Sequence, residues 1–152
     1  MCIRDRPIGD DKAFGFNQAK SGNLYYFNIS KRKNSYAAYN DGSFPEVTEF
    51  EIEPGVFHLL TSPDEDYFLA HGPSNQDEGR EDNDIYAAFK KHDGTWGTPI
   101  NLGSAVNSTA GEAVPTISPD GKYLFFARDE EDGTENIYWV STEIIENLRP
   151  EM

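Results

Sequence analysis

Residues 118–139 read SPDGKYLFFARDEEDGTENIYW: a tight-turn signal, an apolar run, an acidic loop and a second apolar run. In Ser118-Pro119-Asp120-Gly121 the proline presets φ, the aspartate accepts a backbone N–H, and the glycine takes the positive φ that closes a hairpin. Strands are therefore expected on both sides, over 113–118 and 122–128. Apolar residues at every position from Tyr123 to Ala127 leave no wet face, so this strand is expected in a sheet covered on both sides. Like sheets stacked against it would supply that cover.

Similar pieces recur upstream. Gly22-Asn23-Leu24-Tyr25-Tyr26-Phe27, Glu65-Asp66-Tyr67-Phe68-Leu69-Ala70 and Gly121-Lys122-Tyr123-Leu124-Phe125-Phe126 align at steps of 43 and 56. Tyr36, Tyr86 and Tyr138, each in an apolar run, follow at steps of 50 and 52, and the Asp41-Gly42 and Asp93-Gly94 turns lie 52 apart. Repetition on this scale indicates stacked or radial units, here about 13–53, 54–110 and 111–152. The apolar runs of each unit last only ~4–8 residues, carry aromatic and β-branched side chains, and end at Gly, Pro, Asn or Asp, so the units are β-structure.

In the second unit the Asp93-Gly94 turn leads to a fourth strand expected near 99–102. Four antiparallel strands with both faces packed make a propeller blade. The expected fold class is all-β, a partial β-propeller of about three four-stranded antiparallel blades. The third unit lacks the Asp-Gly turn and runs instead into a short helix over 141–150. Ser141 or Thr142 would cap it, Ile144, Ile145 and Leu148 would share one side, and Pro150 would stop it.

The segments SPDGKYLFF (118–126), NDIYAAFKKHDGTWGTPINLG (83–103) and ENIYWV (135–140) resemble the TolB-like (WD-like) β-propeller repeat family. The resemblance covers about 13–150. The Trp-Asp and Gly-His signatures of ordinary WD repeats are missing, and the first two units carry Ala19-Lys20-Ser21-Gly22 and Ser62-Pro63-Asp64-Glu65 where the third has the full turn. Propellers have about 4–8 blades, so the resemblance implies the C-terminal part of a larger ring. It also implies a bacterial protein, periplasmic or secreted, that acts as a noncatalytic binding or scaffold module for a protein, small-molecule or glycan ligand. The alternative is the propeller part of a peptidase or polysaccharide lyase whose catalytic residues lie elsewhere. Glu112 and Pro115 match the family's recurring Glu-x-x-Pro.

The 152 residues carry a formal net charge of -14, which repels phosphates, so no nucleic-acid partner is expected. No apolar run approaches the ~18 residues of a membrane-spanning helix, so membrane insertion is not expected either. Cys2 is the single cysteine and cannot form an intrachain disulfide. Residues 1–12 stand outside the repeats, and their beginning reads as a cloning or assembly scar joined to a truncated gene. An array of about three blades leaves two terminal faces, so the chain is expected to self-associate through open blade faces, with Tyr123-Leu124-Phe125-Phe126 at one end and Leu24-Tyr25-Tyr26-Phe27 at the other.

No nucleophile elbow, zinc-binding helix, phosphate loop or dinucleotide fingerprint is present, and neither a catalytic residue nor a cofactor is assigned. Two residues are candidates for ligand binding. His58 lies in the expected innermost strand, where it either faces a central channel or packs with a hydrogen bond; Glu112 either contacts a ligand or accepts local hydrogen bonds. His71 and His92 read as structural or exposed. Asp129, Asp132 and Asn136, like Asp77, Asp82 and Asp84, offer oxygen ligands without the ordered spacing of a calcium loop, and read as solvated hairpin tips. Phe44 and Trp96 read as blade-packing anchors. Asn28-Ile29-Ser30 and Asn107-Ser108-Thr109 fit the glycosylation pattern. Gly121 is expected in a tighter turn than Gly133, whose longer loop can relax.

Overall fold

The computed structural model describes residues 10–53, 55–74 and 82–151. The start of the chain, Cys2 and Asp77 lie outside them. Among the described residues, eleven strands and one helix follow in order: β1 (Ala13–Gln18), β2 (Leu24–Asn28), β3 (Lys33–Ala37), β4 (Val47–Phe50), β5 (Phe57–Thr61), β6 (Tyr67–Pro73), β7 (Asn83–Phe89), β8 (Ile100–Asn101), β9 (Glu112–Ile117), β10 (Tyr123–Asp129), β11 (Glu135–Ser141) and α1 (Glu143–Asn147). They form three antiparallel sheets with strand orders β1-β2-β3-β4, β5-β6-β7-β8 and β9-β10-β11. Each sheet is a simple meander, and the three together are blades of a partial β-propeller.

The middle blade has both faces covered. Phe68, Ala70, Tyr86 and Ala88 join Val56 and Leu59 in one cluster, against which Phe50, Ile52 and Trp96 pack. The alternate residues Leu69, Ile85, Ala87 and Phe89 join Leu124, Phe126 and Ile145 in the other, toward the third blade. A strand that packs on both sides has no use for polar alternation, which is why β6 and β7 read as continuous apolar runs.

The third blade departs from the expected double cover. Leu124 and Phe126 are buried against the middle blade, but on the opposite face Trp139 is 64% exposed and Ile137 78%. It has three strands, and α1 follows where the other blades place a fourth. Thr142 is the N-cap by position, yet its hydroxyl donates to the Gly121 carbonyl at 2.7 Å, while Ser141 Oγ accepts from the Glu143 N–H at 3.3 Å. Ile145 anchors the helix in the core, and Arg149 ties its end to Asp66 of the middle blade at 2.9 Å.

At the turns, Gly22, Glu65 and Gly121 all adopt positive φ, at 92°, 57° and 76°. The Ser62-Pro63-Asp64-Glu65 turn therefore closes as Ser118-Pro119-Asp120-Gly121 does, with a glutamate in the glycine's place. The looser turn expected around Gly133 is not found. Its φ is 80°, and the Gly133 and Glu130 N–H groups bond the Glu130 and Thr134 carbonyls at 2.9 and 2.8 Å, a closure as tight as that at Gly121.

Candidate functional site

The three innermost strands share a bulge. Pairing slips between Phe14 and Asn17 in β1 and between Phe57 and Leu60 in β5. In β9 it slips between Ala113 and Thr116. In each case three residues of the inner strand advance against two of its neighbour, and the extra residue has positive φ: Gly15 at 66°, His58 at 58° and Val114 at 52°. Each of these lies seven residues before the turn residue of its blade. A bulge bends a strand and re-aims its side chains, and here it sends His58 toward the neighbouring blade.

His58 is half-buried and occupies the space over Gly15, where a Cβ would come within 2.1 Å of its Cδ2. Phe14 lies against it at 4.9 Å between ring centres, and the His71 ring stands edge-on at 5.4 Å. No hydrogen-bond partner for the buried His58 Nδ1 occurs among the described residues. His71 is buried, and its Nδ1 accepts the N–H of Val114, the bulge residue of the third blade, at 3.3 Å. Two histidines of the middle blade thus link the bulges of all three. Burial lowers the pKa of both, and burial together with the His58 charge brings His71 down to about 4, so the pair is neutral near pH 7.

Glu112 opens β9 and is fully buried. Its carboxylate accepts the Ser108 N–H at 3.1 Å and hydroxyl at 2.5 Å, and Arg128 Nε at 2.7 Å. Arg128 Nη2 donates to the Val106 carbonyl at 2.7 Å, and its guanidinium lies 4.4 Å over the Tyr138 ring. Glu112 therefore serves as a local acceptor that holds the loop before β9. Among the described residues it makes no hydrogen bond to His58, which packs over Gly15 of the first blade.

Several contributors were not singled out in the sequence. Glu65, the turn residue, sends its carboxylate across the first seam to accept from Tyr25 OH at 2.6 Å, Ser21 Oγ at 2.7 Å and Asn23 Nδ2 at 3.1 Å. Burial opposes its ionisation, but these hydrogen bonds and the Lys90 charge outweigh burial and hold the carboxyl below its usual range. Asn34 Nδ2 bonds the Val56 carbonyl at 2.8 Å, and Asn17 Oδ1 accepts the Thr61 N–H at 2.9 Å. The only signal for Glu65 was its departure from the turn pattern.

Along this seam, between the first two blades, lies a cleft of about 730 Å³, lined by Tyr36, Phe50, Ile52, Glu65, Lys90 and Trp96, with Glu51 and Glu53 also on its wall. Trp96 packs edge-on against Phe68 at 4.9 Å, as an anchor should, and still presents one side to the cleft, where Lys90 Nζ lies 5.4 Å from the ring centre. Three of the groups weighed for calcium are engaged locally. Asp132 accepts from Thr134, Asn136 donates to Glu130, and Asp84 accepts from Ser74 and Asn101. The buried amides of Asn28 and Asn107 donate to Asp11 and to the Ile85 carbonyl at 2.9 Å each, so neither is presented for glycosylation.

No protein-family model matches the chain, and no curated protein matches it. Solved structures do. The PQQ-bound aldose sugar dehydrogenase of Streptomyces coelicolor is 18% identical at a TM-score of 0.51, over 80% of this chain and 39% of that one. A candidate 6-phosphogluconolactonase of Bacteroides uniformis is 16% identical at 0.46, over 87% and 41%. The tricorn protease is 11% identical at 0.46, over 84% and 12%. The chain thus spans about two fifths or less of these proteins. At such identities the dehydrogenase likeness speaks to the fold alone, and it agrees with the blade topology.

Proposed function

We infer that the chain is a noncatalytic binding module of the TolB-like propeller kind, from a bacterial envelope or secreted protein. The observation that carries the reading is the cleft between the first two blades. Its volume suits a small ligand, and its wall combines aromatic surface from Trp96, Tyr36 and Phe50 with the Lys90 cation and nearby carboxylates. Aromatic faces suit the apolar faces of sugars or peptide side chains, while the charged rim orients polar groups.

The buried polar groups around the cleft support it as structure. Glu65 is held by Ser21, Asn23 and Tyr25, so it fixes the wall. The envelope or secreted setting rests on the family resemblance, and the net charge of -14 favours ligands other than nucleic acid.

The test is a panel of oligosaccharides and peptides titrated against the chain by calorimetry. A ligand of this cleft should lose at least tenfold in affinity with Trp96→Ala and with Lys90→Ala. Binding indifferent to both substitutions, or turnover of a panel member by the chain, would set the reading aside.

A further inference from the structure

The three third strands occupy equivalent places in their blades, but their outer edges are treated differently. In the first blade, Ser35 of β3 pairs with Glu49 of β4. In the second, the Ile85 carbonyl of β7 accepts the Leu102 N–H at 3.0 Å, and the side-chain amide of Asn107 bonds both the N–H and the carbonyl of Ile85, at 2.8 and 2.9 Å. An asparagine there continues the two-residue β8. In the third blade the equivalent residue is Ile137 of β11, and β11 is the edge strand of its sheet among the described residues. All of β11 except Tyr138 and Val140 is exposed.

The hydrogen-bond phase of β11 follows from its two ends. Glu130 N–H bonds the Thr134 carbonyl at 2.8 Å and Thr142 N–H bonds the Lys122 carbonyl at 3.0 Å. In the register that pairs Phe126 with Tyr138, Asn136, Tyr138 and Val140 therefore direct their backbone groups to β10. Glu135, Ile137, Trp139 and Ser141 direct theirs outward. Their side chains stand on the open face, where Tyr123 lies edge-on to Trp139 at 5.2 Å. Native proteins blunt a long edge of this kind with bulges, prolines or lysines, and β11 carries none of these.

We propose that β11 pairs antiparallel with β11 of a second copy of this chain, about a two-fold axis at Tyr138, to make one sheet continuous across two third blades. The strand is self-complementary in that register. Ile137 meets the partner copy's Trp139, a favoured β-branched and aromatic pair. Glu135 meets Ser141 rather than another acid. Every outward N–H and carbonyl of the strand falls opposite an outward group, so each pair exchanges two hydrogen bonds. This inference is independent of the cleft and its ligand.

Charge sets the strength. Two copies of net charge -14 repel one another, and a strand-edge contact falls at the low end of specific interfaces, roughly 1,200 Å² or below. Pairing is thus expected at micromolar concentration and should tighten with salt, because screening acts over ~8 Å at physiological ionic strength. A cationic peptide on the same edge would show the opposite salt dependence.

Sedimentation of the full chain over a concentration series, at low and moderate salt, should show a monomer–dimer equilibrium shifted at least fivefold toward dimer by salt. Trp139→Pro removes an outward N–H without touching the β10 ladder, and Ile137→Lys charges the apolar face. Both should sediment as monomers while keeping the cooperative melt of the parent chain. In a Cys2→Ser background, a mixture of Glu135→Cys and Ser141→Cys chains should form a mixed disulfide dimer that neither forms alone. A parent chain monomeric at every concentration overturns the proposal. So do a dimer unaffected by both substitutions and the absence of the mixed disulfide.

Discussion

The Tyr25 hydroxyl donates to Glu65 Oε1 at 2.6 Å across the seam between the first two blades, and Glu65 stands where the other blades have a turn glycine. A non-glycine residue at positive φ costs of order 1 kcal/mol or more. The seam network offsets that cost with three donors to one buried carboxylate. Glu65→Gly removes the strain and the network together, and the lost hydrogen bonds outweigh the relieved strain. Denaturant melts should show a loss of ~1–2 kcal/mol, and a Tyr25→Phe, Glu65→Gln double-mutant cycle should show a coupling of ~1 kcal/mol or more.

The histidine pair makes stability fall on mild acidification. His71 titrates near 4 in the folded chain against an ordinary value of 6.5. Between those values the unfolded chain holds a proton that the folded chain refuses, so the stability present above pH 6.5 is lost as pH falls toward 4. At about 1.4 kcal/mol per unit this amounts to ~3–4 kcal/mol. His58 acts in the same direction. Carboxyls such as Glu65 and Asp66, held below their usual range, add losses at lower pH. Melts from pH 7 to pH 4.5 should show the decline, and His71→Gln, which keeps an acceptor for the Val114 N–H, should flatten it.

Gly121→Val and Gly133→Val should destabilise the chain by similar amounts. Both glycines have positive φ in closed turns, and a Cβ at either meets open space, so the cost is conformational and not steric. Each loss should be ~1–3 kcal/mol. A difference between the two variants beyond about 1 kcal/mol in parallel denaturant melts would show that one turn relaxes.

Arg149 clamps α1 to the middle blade. It bonds Asp66 and Glu146 at 2.9 Å each, and its guanidinium lies 4.8 Å from the Phe89 ring centre. The carboxylates are partly exposed and screened, so Arg149→Ala should cost only ~1 kcal/mol globally. The helix should feel it more. Hydrogen exchange over 143–147 should quicken by about tenfold while exchange in β6 and β7 stays unchanged.

The repeat was legible because its signals are local. Turn chemistry at Ser118-Pro119-Asp120-Gly121 and the apolar run that follows it need nothing beyond neighbours in sequence, and from these the blades could be placed. The bulges could not be read this way. Nothing local tells a β-branched Val114 to adopt a φ of 52°; the inter-blade bond from its N–H to His71 accompanies that geometry. Glu65 looked like a damaged turn because its partners lie 40 or more residues away. Asn107 looked like a glycosylation triplet because its use as a strand surrogate depends on where Ile85 ends up. For the candidate site, the strand that carries His58 could be read from the sequence, but its packing over Gly15 becomes visible only in three dimensions.

The seven-residue interval between bulge and turn has a practical reading for anyone wishing to graft foreign sequence into this chain. Repeat lengths differ by 13 residues while that interval stays constant, so the surplus is absorbed outside the inner hairpin. One residue inserted between His58 and Glu65 turns every following side chain to the wrong face. The tip at Asp41-Gly42, where a glycine Cβ would meet open space, carries no such phase. Epitopes or labels belong at that tip, and the inner hairpin is the part of the chain whose length an engineer must leave alone.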